Sequence, residues 1–390
     1  MSGPLAGIRV VDLSTVLMGP YCTQILAEYG ADVIKIEPPE GDGTRHIGPM
    51  RSRGMGAIFL HANRGKRSAV LNLKRPQDRD ALLRIAAQAD VLVYNQRPQA
   101  MERLGLSYEV VRAASPRIVY AGLCGFGRGG PYSERPAYDD LIQGAVGLPA
   151  LFQRAGNPEP RYVPITLCDR AVGLSAVGAI LAALYHRQRS GEGQAIEIPM
   201  FETMAAMVMG DHLGGRSFVP AEGGTGYARL LAHARRPYVT ADGYICALIY
   251  SDKQWESFCA LIGQPQMFRQ DPRLRDLGTR TRHIDALYAL VAQTLRTRST
   301  DAWLQLLEQA DIPCMPMHTP ESLLEDPHLH AVGLFREIEH PSEGRLVSMS
   351  VPSRWSATPP DAPRPAPRLG EHTAAVLAEA GFDAASAEAP

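Results

Sequence analysis

Short runs of apolar residues alternate with amphipathic stretches through the first half of the chain. The runs predict strands, and the longer stretches with helical periodicity predict helices. The predicted strands cover 8–13, 31–37, 68–73, 90–94, 117–123 and 194–198, and the predicted helices cover 21–29, 77–88 and 171–189. Gly30 follows the first helix and can end it in the left-handed conformation. This alternation is typical of a parallel sheet with helices on its faces, so we predict an α/β fold.

From about Gly223 the character of the sequence changes, and a short glycine-rich stretch leads into shorter strand-like and helical segments. The dipeptide Asp242-Gly243 favours the tight turn of a β-hairpin. A helix is predicted over 301–309, with Ser299 or Thr300 as its N-terminal cap. These features predict a smaller α+β domain over residues 225–325.

The formal charges nearly balance, since 40 Lys and Arg residues face 41 Asp and Glu residues and give a net charge of −1. A nucleic-acid-binding domain carries a strongly basic surface, so that class of partner is excluded. The first residues contain no basic segment followed by a long apolar run, and no secretory signal is predicted. The longest apolar stretch, 171–185, is shorter than the roughly 18 residues of a membrane span. We therefore expect a cytoplasmic protein without a membrane partner.

The six cysteines are scattered and form no Cys-x-x-Cys pair. This spacing argues against a disulfide framework or a zinc site and fits reduced thiols in the cytosol. His328 and His330, near Glu325 and Asp326, imitate the spacing of metal ligands but lack a third well-placed ligand. Cys168 has no basic partner visible in the sequence that would activate its thiol. No metal site and no cysteine nucleophile are predicted.

Asp169 stands directly before the apolar stretch that is predicted to form the longest helix. The simpler interpretation is a helix N-cap, because Asp is favoured there and interacts well with the helix dipole. The other interpretation is a nucleophile, since an ionised carboxylate can attack an acyl centre. The two interpretations are compatible, and the pKa of Asp169 should fall if the dipole dominates.

Two segments have the composition of phosphate-binding sites. Gly125–Gly130 is a glycine-rich loop after a predicted strand, but it does not fit the G-x-G-x-x-G pattern, and a tight turn is the simpler interpretation. The basic residues of 63–67 lie beside another strand, and Lys74 and Arg75 follow that strand. A solvated edge is the usual explanation of such a run, yet cations of this kind also bind phosphates.

Taken in order along nearly the whole chain, the motifs resemble those of the class III CoA-transferases. That family includes formyl-CoA and carnitine-CoA transferases and α-methylacyl-CoA racemases. The segments that carry the resemblance are Gly7–Ser14, Gly19-Pro20, Gly30–Glu37, Asn63–Ser68, Ala89–Asn95, Arg103–Tyr108, Pro116–Tyr120, Gly125–Gly127, Asp169, Gly173, Ala179–Leu184 and Gly191–Gln194.

The resemblance implies a Rossmann-like large domain, a small α+β domain and a homodimer whose two chains interlock. The five prolines between 357 and 368 predict an extended connector, which suits the return of the C-terminal tail to the large domain. The implied boundaries are 1–200 and 340–390 for the large domain, 225–325 for the small domain, and 201–224 and 326–339 for the linkers.

The resemblance also implies roles for particular residues. Asp169 falls on the nucleophilic aspartate of the family, which carries the acyl group and then CoA in covalent linkage. No metal, ATP or permanently bound cofactor is implied, because CoA and acyl-CoA are substrates. The implied CoA contacts, which include two residues near the thioester, are Leu17, Met18, Leu71, Asn72, Leu73, Lys74, Asn95, Gln96, Arg97, Arg103, Tyr138 and Asp139.

The resemblance leaves three functions open. The first is a CoA-transferase that moves CoA from a donor such as succinyl-CoA to a small carboxylic acid. The second is a 2-methylacyl-CoA racemase, but the racemases carry a His-Asp pair where this chain has Tyr138-Asp139, and a neutral tyrosine is a poor base near pH 7. The third is a catalytically silent acyl-CoA-binding protein, against which the presence of Asp169 argues. We expect the transferase, and the sequence does not select its acid.

Overall fold

The computed structural model describes residues 2–362 and 364–382, and these residues form two compact units. The first unit contains the residues up to Val146, Val163–Ala206 and the stretch from His328 onward. The second unit contains Gly147–Tyr162 and Met207–Pro327.

The domain boundaries expected from the sequence stay a prediction, and the two compact units divide the chain differently in places. Residues 147–162 and 207–224 are part of the second unit, whereas the sequence analysis assigned them to the large domain and to a linker. Arg154 contributes to this arrangement, because its Nη2 donates a hydrogen bond to the carbonyl oxygen of Thr225 at 2.6 Å. Residues 383–390, part of the predicted C-terminal return, lie outside the described residues.

Parallel strands form the centre of the first unit. They are β1 (Arg9–Asp12), β2 (Asp32–Glu37), β3 (Arg67–Val70), β4 (Val91–Tyr94), β5 (Val119–Cys124) and β6 (Gln194–Pro199). Their order in space is β3-β2-β1-β4-β5-β6, with β1 paired in parallel to both β2 and β4. Every strand predicted in this part of the chain is present, so the predicted α/β fold with a parallel sheet is confirmed.

The helices follow in chain order. They are α1 (Met18–Glu28), α2 (Ala57–Ala62), α3 (Pro76–Ala87), α4 (Pro98–Arg103), α5 (Tyr108–Ala114), α6 (Asp139–Ala145), α7 (Leu148–Arg154), α8 (Leu167–Ser190), α9 (Met200–His212), α10 (Asp252–Leu261), α11 (Met267–Gln270), α12 (Leu277–Arg282), α13 (Ile284–Leu295), α14 (Thr300–Gln309), α15 (Pro320–Leu324), α16 (Pro327–Val332) and α17 (Thr373–Glu379). Short 3₁₀ helices cover Gly43–His46, Gly214–Ser217 and Pro272–Leu274.

Both faces of the parallel sheet are covered by helices, which explains the nearly continuous apolar runs of its strands. Successive strand residues point to opposite faces. Val10 therefore lies in a buried cluster with residues of α1 and α8, while Val11 lies in a second cluster with residues of α3 and α17. Gly30 ends α1 with a φ of +97°, as expected from the sequence.

The long helix α8 is the one described helix whose length and composition would allow it to cross a membrane. One of its faces is nevertheless part of a protein core. Cys168, Val172, Ala176 and Ile180, spaced one helical turn apart, are fully buried in the cluster that also contains residues of α1. α8 is therefore a core helix of the first unit.

The second unit contains a three-stranded antiparallel sheet of β7 (Tyr238–Val239), β8 (Tyr244–Ala247) and β9 (Cys314–Pro316). The turn between β7 and β8 contains Asp242 and Gly243, which confirms the predicted hairpin. The predicted helix near 301–309 is also confirmed as α14, with the Ser299 side chain accepting a hydrogen bond from the N–H of Ala302 at 3.3 Å.

The chain after the second unit returns to the first unit. A hairpin of β10 (Phe335–His340) and β11 (Gly344–Met349) comes first. Within 357–368, the described residues form neither helix nor strand, as the prolines predict. The carbonyl oxygen of Pro367 accepts hydrogen bonds from the buried guanidinium of Arg45 at 3.3 Å, which fixes the tail to the first unit.

Candidate active site

The order of the parallel strands creates a crevice between β1 and β4. From β1 the chain builds the sheet first to one side, through β2 and β3, and then to the other side, through β4, β5 and β6. In open α/β sheets, ligands bind outside the carboxyl ends of the strands at such a switch point. The segments with Leu17 and Met18 and with Asn95 to Arg97 follow β1 and β4 directly. The fold thus brings two of the predicted CoA-contacting segments together at one edge.

Side chains that directly follow β4 hold the backbone of the loop between β1 and α1. The Asn95 amide accepts a hydrogen bond from the N–H of Thr15 at 2.9 Å and donates one to the Thr15 carbonyl oxygen at 2.8 Å. Gln96 donates from Nε2 to the carbonyl oxygen of Leu13 at 2.7 Å. Its Oε1 is buried and has no hydrogen-bond partner among the described residues. Asn95 and Gln96 therefore shape the loop, and their side chains bind its backbone.

The same loop contains Val16, whose φ of +67° is unusual for a β-branched residue. Asp42 supports this conformation, because its carboxylate oxygens accept hydrogen bonds from the N–H of Val16 at 3.2 and 3.3 Å. Asp42 in turn forms an ion pair with Lys35 at 2.9 Å, and both side chains are fully buried. Lys35 also donates to the carbonyl oxygen of Ser14 at 2.8 Å. Sequence reasoning missed this pair, because spacing along the chain does not show which charges meet across a sheet.

The first turn of α1 presents backbone N–H groups at the crevice. Its N-cap residue, Leu17, makes no side-chain capping bond, and the first-turn N–H groups of a helix have no acceptor within the helix. An anion is stabilised at such a helix end. The side chains of Leu17 and Met18 are buried in the first unit, 5% and 6% exposed. These two predicted contacts are therefore restricted mainly to their backbone atoms.

The predicted contacts at Leu71–Lys74 follow β3, at the same edge but two strands away from β1. The Leu71 side chain is buried, and the N–H of Asn72 donates to Asp78 at 2.7 Å. Lys74 is exposed, as are Arg97 at the start of α4 and Arg103 at its end. Lys74, Arg97 and Arg103 are thus the predicted contacts whose charges are free to meet the phosphates of a ligand.

The basic run near β3 is not a phosphate-binding surface, which corrects one interpretation of the sequence. Arg64 pairs with Glu28, and Arg67 pairs with Asp32 at 2.7 Å. Lys66 is buried against Asp12 at 3.0 Å, and burial lowers the pKa of Lys66 to about 8. These cations are paired with carboxylates of the first unit, so their charges stabilise the fold and are not available to a phosphate.

Asp169 lies one turn deeper in its helix than the sequence indicated. α8 begins at Leu167 with Thr166 as its N-cap, so Asp169 occupies the third helical position and is not the N-cap. The expected start near 171 was wrong because Leu167 and Cys168 extend the apolar face of the helix by one turn. The carboxylate still lies in the first turn, where the helix dipole favours a negative charge.

Asp139 is the nearest acid to Asp169 and connects α6 to α8. Its Oδ1 accepts a hydrogen bond from the backbone N–H of Asp169 at 2.9 Å, and its Oδ2 accepts one from Gln143 at 2.6 Å. Gln143 is fully buried and accepts from the N–H of Val163 at 2.8 Å. The two helices and the segment that enters α8 are therefore fixed around the Asp169 carboxylate.

Burial raises the pKa of Asp169 to about 7, and the negative charge of Asp139 acts in the same direction. The positive charge of Arg170 opposes this shift but is the smaller effect. The pKa was expected to fall if the helix dipole dominated, so desolvation outweighs the dipole at this position. A carboxyl with a pKa near 7 changes its charge in the physiological range, a property common at functional sites.

Gly173 joins the neighbourhood of Asp169 to the start of α1. It lies one turn after Asp169, and a Cβ atom on it would lie 2.8 Å from the carbonyl oxygen of Met18 and 3.1 Å from the ring of Tyr21. The absence of a side chain lets α1 and α8 approach closely. The start of α1 and the first turns of α8 are therefore in close contact within the first unit.

Two further residues of the first unit flank this site. Tyr138 is the N-cap of α6 and is 70% exposed, so its side chain is available beside Asp139. Cys168 is buried, and burial together with the charges of Asp139 and Asp169 raises the pKa of its thiol to about 12. A thiol of that pKa is a poor nucleophile at neutral pH, so Asp169 is the better candidate of the two neighbours.

In the glycine-rich loop after β5, two backbone N–H groups are already bonded to glutamate side chains. The N–H of Gly127 donates to Glu202 at 2.9 Å, and the N–H of Arg128 donates to Glu197 at 2.8 Å. The Arg128 side chain also pairs with Glu197 at 3.0 Å. Two carboxylates occupy the donors that a phosphate would need, so the simpler interpretation as a turn fits this loop.

Among the residues that the structure describes, no group of three or more His, Cys, Asp or Glu side chains is arranged to hold a metal ion. The six cysteine thiols are free. The polar groups gathered near Asp169 and at the crevice are carboxylates, amides and exposed cations. This set is suited to binding an anionic ligand and to acyl chemistry on a carboxylate.

Comparisons with known proteins show what the chain as a whole is similar to. A family model described as CoA-transferase family III matches residues 5–373. The chain is 34% identical over 390 residues to the succinate–glutarate CoA-transferase of Agrobacterium fabrum, covering 96% of this chain and 95% of that protein. It is 33% identical over 394 residues to the succinyl-CoA:mesaconate CoA-transferase of Haloarcula marismortui, covering 98% and 97%. The crystal structure of a CAIB/BAIF family protein from Brucella suis is similar with a TM-score of 0.80 and 31% identity, covering 97% of this chain and 100% of that one.

Proposed function

Because this chain belongs to CoA-transferase family III, we propose that it moves CoA from an acyl-CoA donor to a small carboxylic acid through a covalent intermediate on Asp169. The membership makes the chain an enzyme of CoA transfer. The observation that carries the finer proposal is the placement of the Asp169 carboxylate. It lies partly buried in the first turn of α8, with its backbone fixed by Asp139 and its helix packed against the start of α1.

The proposed reaction starts with attack of the Asp169 carboxylate on the thioester carbonyl carbon of the donor. The carbon–sulfur bond breaks, which gives a mixed anhydride and CoA thiolate. The thiolate then attacks the aspartyl carbonyl carbon, releases the donor as its carboxylate and leaves an aspartyl–CoA thioester. Each step exchanges one activated acyl bond for another, so neither ATP nor net proton transfer is required.

The second half of the reaction repeats these steps in reverse order. The acceptor carboxylate attacks the aspartyl thioester, which gives a second mixed anhydride and frees the thiolate again. The thiolate attacks the acyl carbonyl carbon that came from the acceptor, and Asp169 leaves as a carboxylate. The protein must hold these anhydrides away from water, and the partial burial of Asp169 supports that requirement.

The environment of Asp169 suits a carboxylate that must react and then leave. A pKa near 7 indicates a carboxylate that is poorly solvated and hence more reactive than one in water. Helix dipole and Arg170 supply some compensation for its charge. The hydrogen bond from its own N–H to Asp139 leaves the side chain of Asp169 unencumbered for attack.

For the CoA moiety we propose binding along the carboxyl edge of the sheet. The N–H groups at the start of α1 are suited to the pyrophosphate, and exposed Lys74, Arg97 and Arg103 are suited to the phosphate charges. Of the other predicted contacts, Leu17 and Met18 can act through their backbone atoms, and Asn95 and Gln96 shape the loop between β1 and α1.

The names of two relatives point to the substrate class. They are a succinate–glutarate and a succinyl-CoA:mesaconate CoA-transferase, and both pair succinate with another short dicarboxylic acid. We therefore propose succinyl-CoA or a similar thioester as donor and a short dicarboxylic acid as acceptor. As in the family, we propose a soluble cytoplasmic homodimer whose two chains interlock.

A racemase is the second candidate, because a carboxyl with a pKa near 7 is also suited to moving a proton. Racemisation at Cα needs a second acid–base group opposite the first, and the position that carries histidine in the racemases is Tyr138 here. Deuterium incorporation at Cα of a 2-methylacyl-CoA, without any acceptor acid, would favour the racemase over the transferase.

The test of the proposed function is an exchange assay with the purified chain. Succinyl-CoA is incubated with a panel of carboxylic acids, and new acyl-CoA esters are detected by mass spectrometry. We expect at least one dicarboxylic acid to give its CoA ester, and we expect Asp169→Ala to abolish exchange while CoA binding remains. Asp140→Asn, an exposed acid in the first turn of α6, is the matched control and should keep activity. Exchange at the normal rate in Asp169→Ala would overturn the assignment.

A further inference from the structure

A cleft of about 330 Å³ in the second unit collects three arginines that the chemistry at Asp169 does not use. Arg229, Arg235 and Arg236 line it together with Tyr288, and Ala247 and Leu248 line it at the end of β8. Its volume is at the lower end of the range of small-molecule sites, roughly 300–1,000 Å³. No Asp or Glu residue is among the lining residues.

The positive charges of this cleft are not neutralised within the described part of the chain. None of the three guanidinium groups has a carboxylate within 4.0 Å there, whereas Arg273, Arg275 and Arg280 of the same unit all pair with Asp residues. Three adjacent uncompensated cations repel one another, and a bound anion would relieve that repulsion. Other arginines of the unit, such as Arg296, also have no carboxylate within 4.0 Å among the described residues, so this cleft is distinguished by the grouping of three such cations in one place.

The guanidinium of Arg229 is held in place by neutral groups, which leaves its charge and most of its donors free. Its Nε donates to the hydroxyl of Tyr288 at 3.2 Å, and its Cζ lies 5.2 Å from the ring centroid of Tyr250. Both Nη groups have no acceptor among the described residues. An arginine that is oriented through Nε presents the two Nη groups as a fork, the geometry that binds a carboxylate with two hydrogen bonds.

Part of the cleft lining is apolar and is held in place by the antiparallel sheet. Ala247 is the last residue of β8 and pairs with Cys314 of β9, so the sheet fixes the position of this part of the lining. Leu248 follows with its N–H bonded to the carbonyl oxygen of Pro313 at 3.0 Å. A lining that combines apolar residues with several guanidinium groups favours a ligand that has a short hydrocarbon chain and more than one negative charge.

We propose that this cleft binds a short aliphatic dicarboxylate, with Arg229 and the Arg235-Arg236 pair holding its carboxylates. The two carboxylates of the ligand pair with the three arginines, and the methylene groups between the carboxylates contact Ala247 and Leu248. The choice of a dicarboxylate rests on the proposed function, whereas the presence of an anion site rests on the cleft alone. The cleft thereby becomes a binding site for the acid substrate class within the second unit, in addition to the site of chemistry at Asp169.

The test measures binding directly, without turnover. Isothermal titration calorimetry on the full chain, in the absence of any CoA compound, uses glutarate as the probe, butyrate as the monocarboxylate control and adenosine 3′,5′-bisphosphate as the phosphate control. The variants are Arg235→Gln/Arg236→Gln, both exposed positions, and Arg229→Lys, which keeps the charge but loses the fork. Arg296→Gln, an exposed arginine of the same unit outside the cleft, is the matched control. Thermal unfolding checks that each variant is folded.

We expect glutarate to bind more tightly than butyrate, and its affinity to fall about tenfold or more in Arg235→Gln/Arg236→Gln and in Arg229→Lys. Arg296→Gln and Asp169→Ala should bind glutarate within about twofold of the unchanged chain, since neither touches the cleft. Because Asp169→Ala removes turnover and not the cleft, failure of the proposed function and failure of this site give different results.

Two outcomes would overturn the proposal. Glutarate binding that is unchanged in a folded Arg235→Gln/Arg236→Gln variant would show that the cleft does not hold the dicarboxylate. Tighter binding of adenosine 3′,5′-bisphosphate than of glutarate, lost in the same variants, would assign the cleft to a phosphate and not to a dicarboxylate.

Discussion

The backbone N–H of Asp169 donates a hydrogen bond to the carboxylate of Asp139 at 2.9 Å, so two acids of different helices stand side by side at the start of α8. The bond uses the main chain of one acid and the side chain of the other. It therefore fixes the position of Asp169 without neutralising its carboxylate. The charge of Asp139 remains close and raises the pKa of Asp169.

This pairing predicts a pH profile. Because burial and Asp139 raise the pKa of Asp169 to about 7, only the ionised fraction attacks, and kcat/KM should rise with pH between about 6 and 8 and then level off. Asp139→Asn removes the neighbouring charge but keeps an oxygen that can accept from the N–H of Asp169. The midpoint of the profile should therefore move to lower pH, by about one unit.

The control for that profile is Asp140→Asn, which changes the same charge one residue away without touching the hydrogen bond. Its midpoint should stay within about 0.3 units of the unchanged enzyme. A profile of Asp139→Asn that keeps its midpoint would show that Asp139 does not set the charge of Asp169.

The raised pKa also predicts that Asp169 destabilises the fold at alkaline pH. The unfolded side chain has a pKa near 3.8 and the folded one about 7, so the folded state binds more protons between these values. By linkage, the stability of the protein falls as pH rises through this range. Asp169→Asn does not titrate. It should match the unchanged protein near pH 4 and be more stable by about 1–3 kcal/mol at pH 8, as measured by thermal or denaturant unfolding. Equal or lower stability of Asp169→Asn at pH 8 would contradict the burial of this charge.

Close packing of α1 on α8 should depend on Gly173. In Gly173→Ala, the new Cβ atom would lie 2.8 Å from the Met18 carbonyl oxygen, so the start of α1 must shift. We expect a loss of about 1–3 kcal/mol in the free energy of unfolding and a raised KM for acyl-CoA. Gly178→Ala is the control on the same helix, because its Cβ meets no atom within 4 Å and should stabilise the helix by up to about 1 kcal/mol. Equal effects of the two substitutions would argue against the close contact.

The buried pair of Lys35 and Asp42 should support the β1–α1 loop. Burial alone would lower the pKa of Lys35, but the charges of Asp12 and Asp42 raise it, so the pair stays ionised. Lys35→Met leaves the Asp42 charge buried without this partner and should cost about 3–5 kcal/mol in unfolding free energy. Lys35→Met/Asp42→Asn should recover part of that loss. A double variant that is no more stable than Lys35→Met would contradict the pairing.

The exposed cations at the sheet edge and at the glycine-rich loop should behave differently. Lys74→Gln removes a charge assigned to the phosphates of CoA and should raise the KM for acyl-CoA about three- to tenfold, with kcat little changed. Arg128→Gln removes a charge that is already paired with Glu197 at 3.0 Å and should leave this KM within about twofold. Steady-state kinetics with one acyl-CoA donor distinguishes the two. A KM that rises in Arg128→Gln but not in Lys74→Gln would indicate that the phosphates of CoA bind at the glycine-rich loop.

The sequence predicted the architecture better than the electrostatics. Buried parallel strands such as β4 are nearly continuous apolar runs, and this local pattern located every strand of the parallel sheet. Gly30 and the Asp242-Gly243 turn were predicted correctly, because their backbone requirements are local too. The start of α8 was misplaced by one turn, since helix ends depend on tertiary packing as well as on propensity.

The partners of charged residues were the main source of error. Lys66 was grouped with a surface for phosphates, yet it is buried against Asp12, which lies 54 residues earlier in the chain. The pKa of Asp169 was expected to fall if the helix dipole dominated, an argument that needs only its place on the helix. The rise in its pKa depends on burial and on Asp139, and both of these follow from the fold.

The most direct test of the account is to trap the acyl group or the CoA that Asp169 carries. The enzyme is incubated with succinyl-CoA, quenched with hydroxylamine or borohydride, digested and examined by peptide mass spectrometry. We predict a hydroxamate or a reduced side chain at position 169 that requires succinyl-CoA and is missing from Asp169→Asn. A label on another residue, or no label while exchange proceeds at its normal rate, would contradict the covalent mechanism.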